Sequence, residues 1–295
     1  MKPFIFTLIV STCVSMAATV DIFLMAGQSN MSGISDVALS AAEEDQYIEY
    51  YYELDSSLTS LTASSNGSFS TLEAGTHPSG APIWGAEIEL GRGLYQAGYT
   101  DMAIIKYAYT GQSLEIGYNS PNGTSTGTGV AWDAMIATYS DALQDIVDRG
   151  DTPVLRGFFW TQGESDALDG YALNYESNFT AFISDLEAEL SSNYDTTNLR
   201  YVTAQTALNI GASATNINLV RNAQTSVMNS ISNGTYFDTE SFGRRSSSDI
   251  IHFNADGYNA MGVAFTEYYL APEPCSSVLA LIGGMILTIR RQRPS

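Results

Sequence analysis

The chain has 295 residues, 44% hydrophobic, 11% aromatic and 15% charged, with 25 Gly and 8 Pro; this excludes a disordered, collagen-like or coiled-coil protein and supplies a large core. Its 12 basic and 32 acidic residues leave a formal charge of −20, and its only lysines are Lys2 and Lys106. A surface this negative repels phosphate backbones and anionic headgroups, so no nucleic-acid partner is expected.

In chain order, residues 1–18 come first. One early positive charge, Lys2, precedes an apolar run to Val14 and the small-x-small sequence Ser15-Met16-Ala17. This predicts a secretory signal peptide cut after Ala17 or Ala18. Both cysteines, Cys13 and Cys275, fall in the end segments, so residues 19–271 have no thiol for a disulfide or a cysteine-ligated zinc. With only His77 and His252 available, a histidine-rich metal centre is not expected, and no cofactor is implied.

Short apolar runs rich in β-branched and aromatic residues predict strands at 20–25, 102–107, 154–160 and 199–206. Helical periodicity lies between and after them, at 86–96, 134–147, 171–190, 218–230 and 255–268. No repeat or low-complexity linker divides residues 19–271, so one domain is expected. The alternation predicts an α/β fold, a three-layer α/β/α sandwich with a mainly parallel central sheet. Catalytic groups in such a sheet gather beyond the carboxyl ends of the strands. Two stretches break the rhythm: 34–82, with the strand-like 47–54, and the Gly/Ser/Thr/Asn-rich 119–129. Long loops at the active face shape substrate sites.

Gly27-Gln28-Ser29-Asn30-Met31-Ser32-Gly33 follows the first strand, where a hydroxyl can face solvent beside backbone N–H groups that bind an oxyanion. A serine there can equally cap a helix. The segment does not fit the Gly-x-Ser-x-Gly elbow, because Met31 stands at the last glycine position. Asp249-Ile250-Ile251-His252-Phe253-Asn254 sets a carboxylate three residues before a histidine. In a tight loop that spacing lets the carboxylate accept from Nδ1 and leaves Nε2 to take a serine proton; otherwise Asp249 caps a turn.

With Trp160-Thr161-Gln162-Gly163-Glu164-Ser165-Asp166 between them, these segments resemble the SGNH-type esterases over residues 21–262. The branch they most resemble is that of the sialate O-acetylesterase-like proteins, which also holds the acetylxylan esterases of carbohydrate esterase family 6. The resemblance implies a flavodoxin-like SGNH hydrolase fold, with Ser29 as nucleophile, His252 as general base and then acid, and Asp249 as its orienting carboxylate. It also implies an oxyanion hole from the backbone N–H groups of Ser29 and Gly111 and the side-chain amide of Gln162. The family's Gly-Gly-Thr-Ser block is replaced here by Thr110-Gly111-Gln112-Ser113. Glu164 is a possible alternative acid for His252; otherwise Glu164 and Asp166 order their loop and cap the helix expected near Tyr171. Trp84-Gly85-Ala86-Glu87 resembles the family's helix start, with Glu87 at the helix N-terminus. His77 is expected on a surface loop.

Pro272-Glu273-Pro274-Cys275 introduces the twelve-residue apolar stretch 278–289, closed by Arg290-Arg291-Gln292-Arg293. That is short of the ~20 residues that span a bilayer. The order resembles the PEP-CTERM sorting tail of Gram-negative bacteria, which implies transient membrane association, recognition by sorting machinery, and export to the cell surface or beyond. Taken together, the expectation is a secreted serine esterase that removes O-acetyl groups from sialic acid or an acetylated polysaccharide through an acyl-enzyme. The alternatives are a lipase- or thioesterase-like hydrolase on the same fold, and an inactive surface carbohydrate-binding protein.

Overall fold

A computed structural model describes residues 17–35, 37–56, 62–76, 82–124 and 127–271. The expected signal peptide up to residue 16, His77 and the expected sorting tail from residue 272 lie outside the described residues.

The chain opens with β1 (Thr19–Gly27), which runs into the single turn α1 (Ser29–Ser32). The first irregular stretch contains β2 (Glu49–Ser56) and four two-residue strands, β3 (Ala63–Ser64), β4 (Ser70–Thr71), β5 (Gly75–Thr76) and β6 (Pro82–Ile83). Next come α2 (Glu87–Gln96), β7 (Met102–Thr110), α3 (Val130–Asp148) and β8 (Thr152–Thr161). Beyond β8 lie α4 (Glu164–Asp169), α5 (Tyr175–Ser191), β9 (Arg200–Ala204), α6 (Ala214–Ser230) and β10 (Gly234–Phe237). The hairpin β11 (Arg244–Ser246) and β12 (Asp249–Phe253) leads into α7 (Ala255–Leu270).

Six strands pair in parallel in the order β10-β9-β8-β1-β7-β2, and β3 and β4 add antiparallel edges to β2. The α/β fold with a mainly parallel sheet is as expected. Side-chain alternation explains the continuous apolar runs: Ile22, Leu24 and Ala26 of β1 join a core with α3, α5 and α6, while Phe23 and Met25 join one with α2 and α7.

Three elements differ from the sequence reading. The helix expected at 171–190 is α5, which starts four residues later at Tyr175, and a separate short helix, α4, precedes it and ends at Gly170 (φ +89°) in the left-handed region. β10 was not anticipated, since Gly234-Thr235-Tyr236-Phe237 is short and only its last residue is buried. The tight loop expected around His252 is the antiparallel hairpin β11–β12, separate from the main sheet.

Candidate active site

The parallel register brings distant motifs together. Gly27, the last residue of β1, lies opposite Ala108 of β7 and Thr161 of β8. The segments leaving these three strands, Gln28-Ser29, Gly111-Gln112 and Gln162-Gly163, therefore emerge side by side. With β7 on one side of β1 and β8 on the other, this is where the chain's winding reverses, the switch-point crevice of an α/β sheet. Only glycine fits at position 27, because a Cβ would sit 2.0 Å from the Thr161 carbonyl oxygen. That close approach lets Gln28 N–H bond Thr161 O at 3.0 Å as the strand turns into α1.

Ser29 is the first residue of α1 and 3% exposed. Its Oγ lies 3.0 Å from Nε2 of His252. The other ring nitrogen, Nδ1, is 2.9 and 3.0 Å from the two oxygens of Asp249, whose Oδ1 also accepts the His252 backbone N–H at 3.2 Å. A carboxylate only accepts, so Nδ1 carries the ring proton and the Nε2 lone pair faces Ser29. Burial pushes the Asp249 carboxyl up, but the hydrogen bonds and charge of His252, with Arg245 beyond, outweigh it and hold the group below the usual carboxylate range.

The structure does not place Glu164 in that role. Its Oε1 accepts from Nδ2 of Asn30 at 2.6 Å, and both oxygens at the imidazole belong to Asp249. Glu164 begins α4 from the end of β8, whereas Asp249 shares the hairpin of His252 and reaches its ring across three residues.

Of the three expected oxyanion donors, the Ser29 N–H is in the first turn of α1, where no intrahelical acceptor is available. Gly111 follows β7 with φ +78°, a conformation that favours glycine and turns the chain back across the strand ends. Gln162 is differently employed. Its Nε2 lies 2.6 Å from Asp166 Oδ2, 3.1 Å from Gln28 Oε1 and 3.2 Å from Gln112 O, so three acceptors surround two hydrogens. The side chain thus ties the β1 turn to the β7 turn, its hydrogens engaged within the protein.

Asp166 anchors that tie. Its two oxygens accept the backbone N–H groups of Leu114 (2.9 Å) and Glu115 (3.1 Å), which holds the turn carrying Gly111. Complete burial raises its carboxyl to about 6, against the lowering effect of Gln162 and those two N–H groups. Ordering of the loop by Asp166 matches the structural reading of this motif, though Asp166 makes no cap near Tyr171.

Sequence reasoning missed Lys106. Its Nζ is fully buried, 2.6 Å from Glu87 Oε2 and 3.0 Å from the carbonyl of Ser32, the last residue of α1. The other Glu87 oxygen accepts Gly85 N–H at 2.9 Å, so Glu87 both begins α2 and supports the nucleophile's turn from below. Desolvation lowers the Lys106 pKa, with Glu87 opposing. A lone lysine inside an apolar strand was the available signal.

The family model for carbohydrate esterases described as sialic acid-specific acetylesterases matches residues 19–271. The chain belongs to this family. No curated protein matches it. Similar solved structures include a protein from Arabidopsis thaliana, at 19% identity and a TM-score of 0.62, covering 86% of this chain and 98% of the other. A second is NanS, at 14% identity and 0.61, covering 87% and 98%. A third is a carbohydrate acetylesterase from Xanthomonas citri, at 19% and 0.55, covering 85% of this chain and 56% of that longer one. At these identities the likeness shows a shared fold. As a member of the acetylesterase family the chain is a carboxylic ester hydrolase, and its Ser29, His252 and Asp249 stand together at the carboxyl end of the central strand.

Proposed function

We propose that this family member is an exported serine esterase that removes O-acetyl groups from carbohydrates through an acetyl-enzyme. The observation that carries the reading is the Ser29 Oγ to His252 Nε2 distance of 3.0 Å with Asp249 on the far side of the ring. Nε2 takes the Ser29 proton as Oγ attacks the acetyl carbonyl. The developing oxyanion faces the N–H groups of Ser29 and Gly111, with Gln162 holding the turns that carry them. The imidazolium then protonates the departing sugar oxygen, leaving acetyl on Ser29. Water, deprotonated by the same nitrogen, attacks that ester, and the returned proton restores Ser29 as acetate leaves. No cofactor enters these steps.

Among acetylated glycans, Arg244 favours those that carry a carboxylate. It is half-buried beside the site: its Nη1 donates to Ile251 O at 3.2 Å and its guanidinium stacks 4.3 Å over Phe253. Among the described residues no carboxylate pairs with it within 4.0 Å and Glu240 and Glu164 act on it only from further away, so its guanidinium is open to the closer carboxylate of a ligand. Export is supported by the residue pattern of the two ends, with transient membrane association through the tail. Among the described residues no helix is long and apolar enough to cross a membrane.

The test is acetate release from a panel of acetylated sialic acids, uronic-acid polysaccharides and neutral xylans, with Ser29→Ala and Arg244→Met beside the wild type. Ser29→Ala should abolish turnover with the fold retained, and Arg244→Met should raise KM for the carboxylate-bearing substrates alone. Full activity of Ser29→Ala, or exclusive use of long-chain acyl esters, would reject the reading.

A further inference from the structure

Ser29 and His252 are 223 positions apart, and the hairpin that carries His252 makes no ladder with the main sheet. Sheet register therefore does not set their 3.0 Å separation. Asn30 supplies the missing link. It adjoins Ser29 in α1 and is 1% exposed. Its Oδ1 accepts the Phe253 N–H at 3.2 Å, and its Nδ2 donates to the Ile251 carbonyl at 3.2 Å. One side chain thus holds the backbone on both sides of His252.

The second Nδ2 hydrogen points to Glu164 Oε1 at 2.6 Å. A carboxylate oxygen accepts, so Glu164 Oε1 and the Phe253 N–H favour the same orientation of the Asn30 amide, its NH₂ toward Glu164 and its oxygen toward the hairpin N–H. With the amide reversed, its oxygen would face a carboxylate and its NH₂ would face the Phe253 N–H. Glu164 is 3% exposed, and among the described residues its Oε2 has no hydrogen-bond partner. A buried carboxylate with an idle oxygen is a cost to folding, unlike Asp166, whose two oxygens are both engaged.

We infer that Asn30 and Glu164 form a brace that sets the Ser29 to His252 distance, making them positioning residues for the acetyl transfer proposed above. The brace and Asp249 act separately. Asp249 moves with the hairpin and fixes the ring's proton, whereas Asn30 ties the hairpin to the nucleophile. Phe253 also anchors the hairpin in the core against Tyr258. Among the described residues, however, Asn30 makes the hydrogen bonds that join the nucleophile's turn to the hairpin, so loosening them should lower kcat and leave sugar binding in place.

The experiment compares wild type, Asn30→Ala, Glu164→Gln and the double variant. Its three readouts are kcat and KM on 4-nitrophenyl acetate, the rate of Ser29 labelling by a fluorophosphonate, and the low-field Nδ1 proton of His252 by NMR. Asn30→Ala should lose about 10² in kcat, the scale of a ~1 Å misplacement, with KM little changed. Labelling should slow in parallel while the low-field proton persists. Glu164→Gln, which keeps the volume and a neutral acceptor, should lose about tenfold, and the double variant should be no worse than Asn30→Ala. Wild-type kcat and labelling in Glu164→Gln would overturn the brace even if Asn30→Ala fails to fold. So would a Glu164→Gln penalty that persists in full without Asn30. If wild type neither labels nor hydrolyses the ester, the esterase reading fails and the brace falls with it; if wild type does both and the variants match it, only the brace falls.

Discussion

Both carboxylate oxygens of Asp249 lie within 3.0 Å of Nδ1 of His252, a residue three positions later on the same strand. The pair is a property of the hairpin, formed wherever the hairpin goes. Asp249→Asn keeps the shape but offers an NH₂ to the ring, which favours the tautomer with its proton on Nε2, facing Ser29. A loss in kcat of order 10⁴ is expected, the scale of that substitution in the chymotrypsin-type triad. Because the Asp249 pKa is depressed, its pairing contributes stability above the ordinary carboxylate range and loses it as pH falls through the lower folded value. Acid inactivation near neutrality should therefore not come from Asp249. A kcat loss of less than tenfold in Asp249→Asn would remove it from the triad.

The two oxyanion candidates beyond Ser29 should separate by variant. Gly111→Ala places a Cβ at φ +78° and shifts the backbone N–H of that turn, so a loss of about 10²–10³ in kcat is expected. Gln162→Ala should lose less in kcat and more in Tm, because its hydrogens join the β1 and β7 turns. Steady-state kinetics with a thermal melt decides it: the reverse order would make Gln162 the direct donor.

Much of the sheet is legible because its strands are largely buried on both faces and so read as mostly apolar runs, broken by Lys106 in 102–107 and by Arg156 in 154–160. The ends of these strands are marked by glycines and polar motifs, and it is the family resemblance those motifs carry that picked out Ser29, Gly111 and Gln162 together. The hairpin is less legible: Arg244-Arg245-Ser246 and Asp249-Ile250-Ile251 are mostly half-exposed and lack alternation, so a loop was the simpler expectation. Beyond the Ser29 and His252 pair that the family resemblance implied, partners across the fold are not legible. Glu164 stands in a conspicuous motif, but that it meets Asn30 rather than His252 depends on where α4 leaves β8. Glu87 likewise reads as a helix-start residue until Lys106 is seen beneath it.

Asp166 offers a pH test of stability. Its carboxyl is raised by burial to about 6, so across the window from the ordinary carboxylate value to about 6 the folded protein holds a proton that the unfolded chain has released. The sign follows: the Asp166 contribution to stability falls as pH rises through that window. Asp166→Asn, which cannot ionise, should flatten this component of Tm against pH between about 4 and 6. Identical pH profiles for wild type and variant would refute the assignment.

The buried pair of Lys106 and Glu87 should connect stability to catalysis. Lys106→Met strands the Glu87 carboxylate in a site that is 1% exposed, and breaking such a pair costs about 3–5 kcal/mol. It also removes the donor to Ser32 O at the end of α1, so the turn that presents Ser29 loses support and kcat should fall in the folded fraction. Replacing both partners, Lys106→Met with Glu87→Gln, removes the stranded charge and should recover much of the stability, as apolar or neutral replacements of buried ion pairs do. The same double variant still lacks the Ser32 contact, so its kcat should stay low. Urea denaturation separates the first effect and single-turnover acetylation the second. Recovery of both together in the double variant would mean that Lys106 acts on the nucleophile only through global stability.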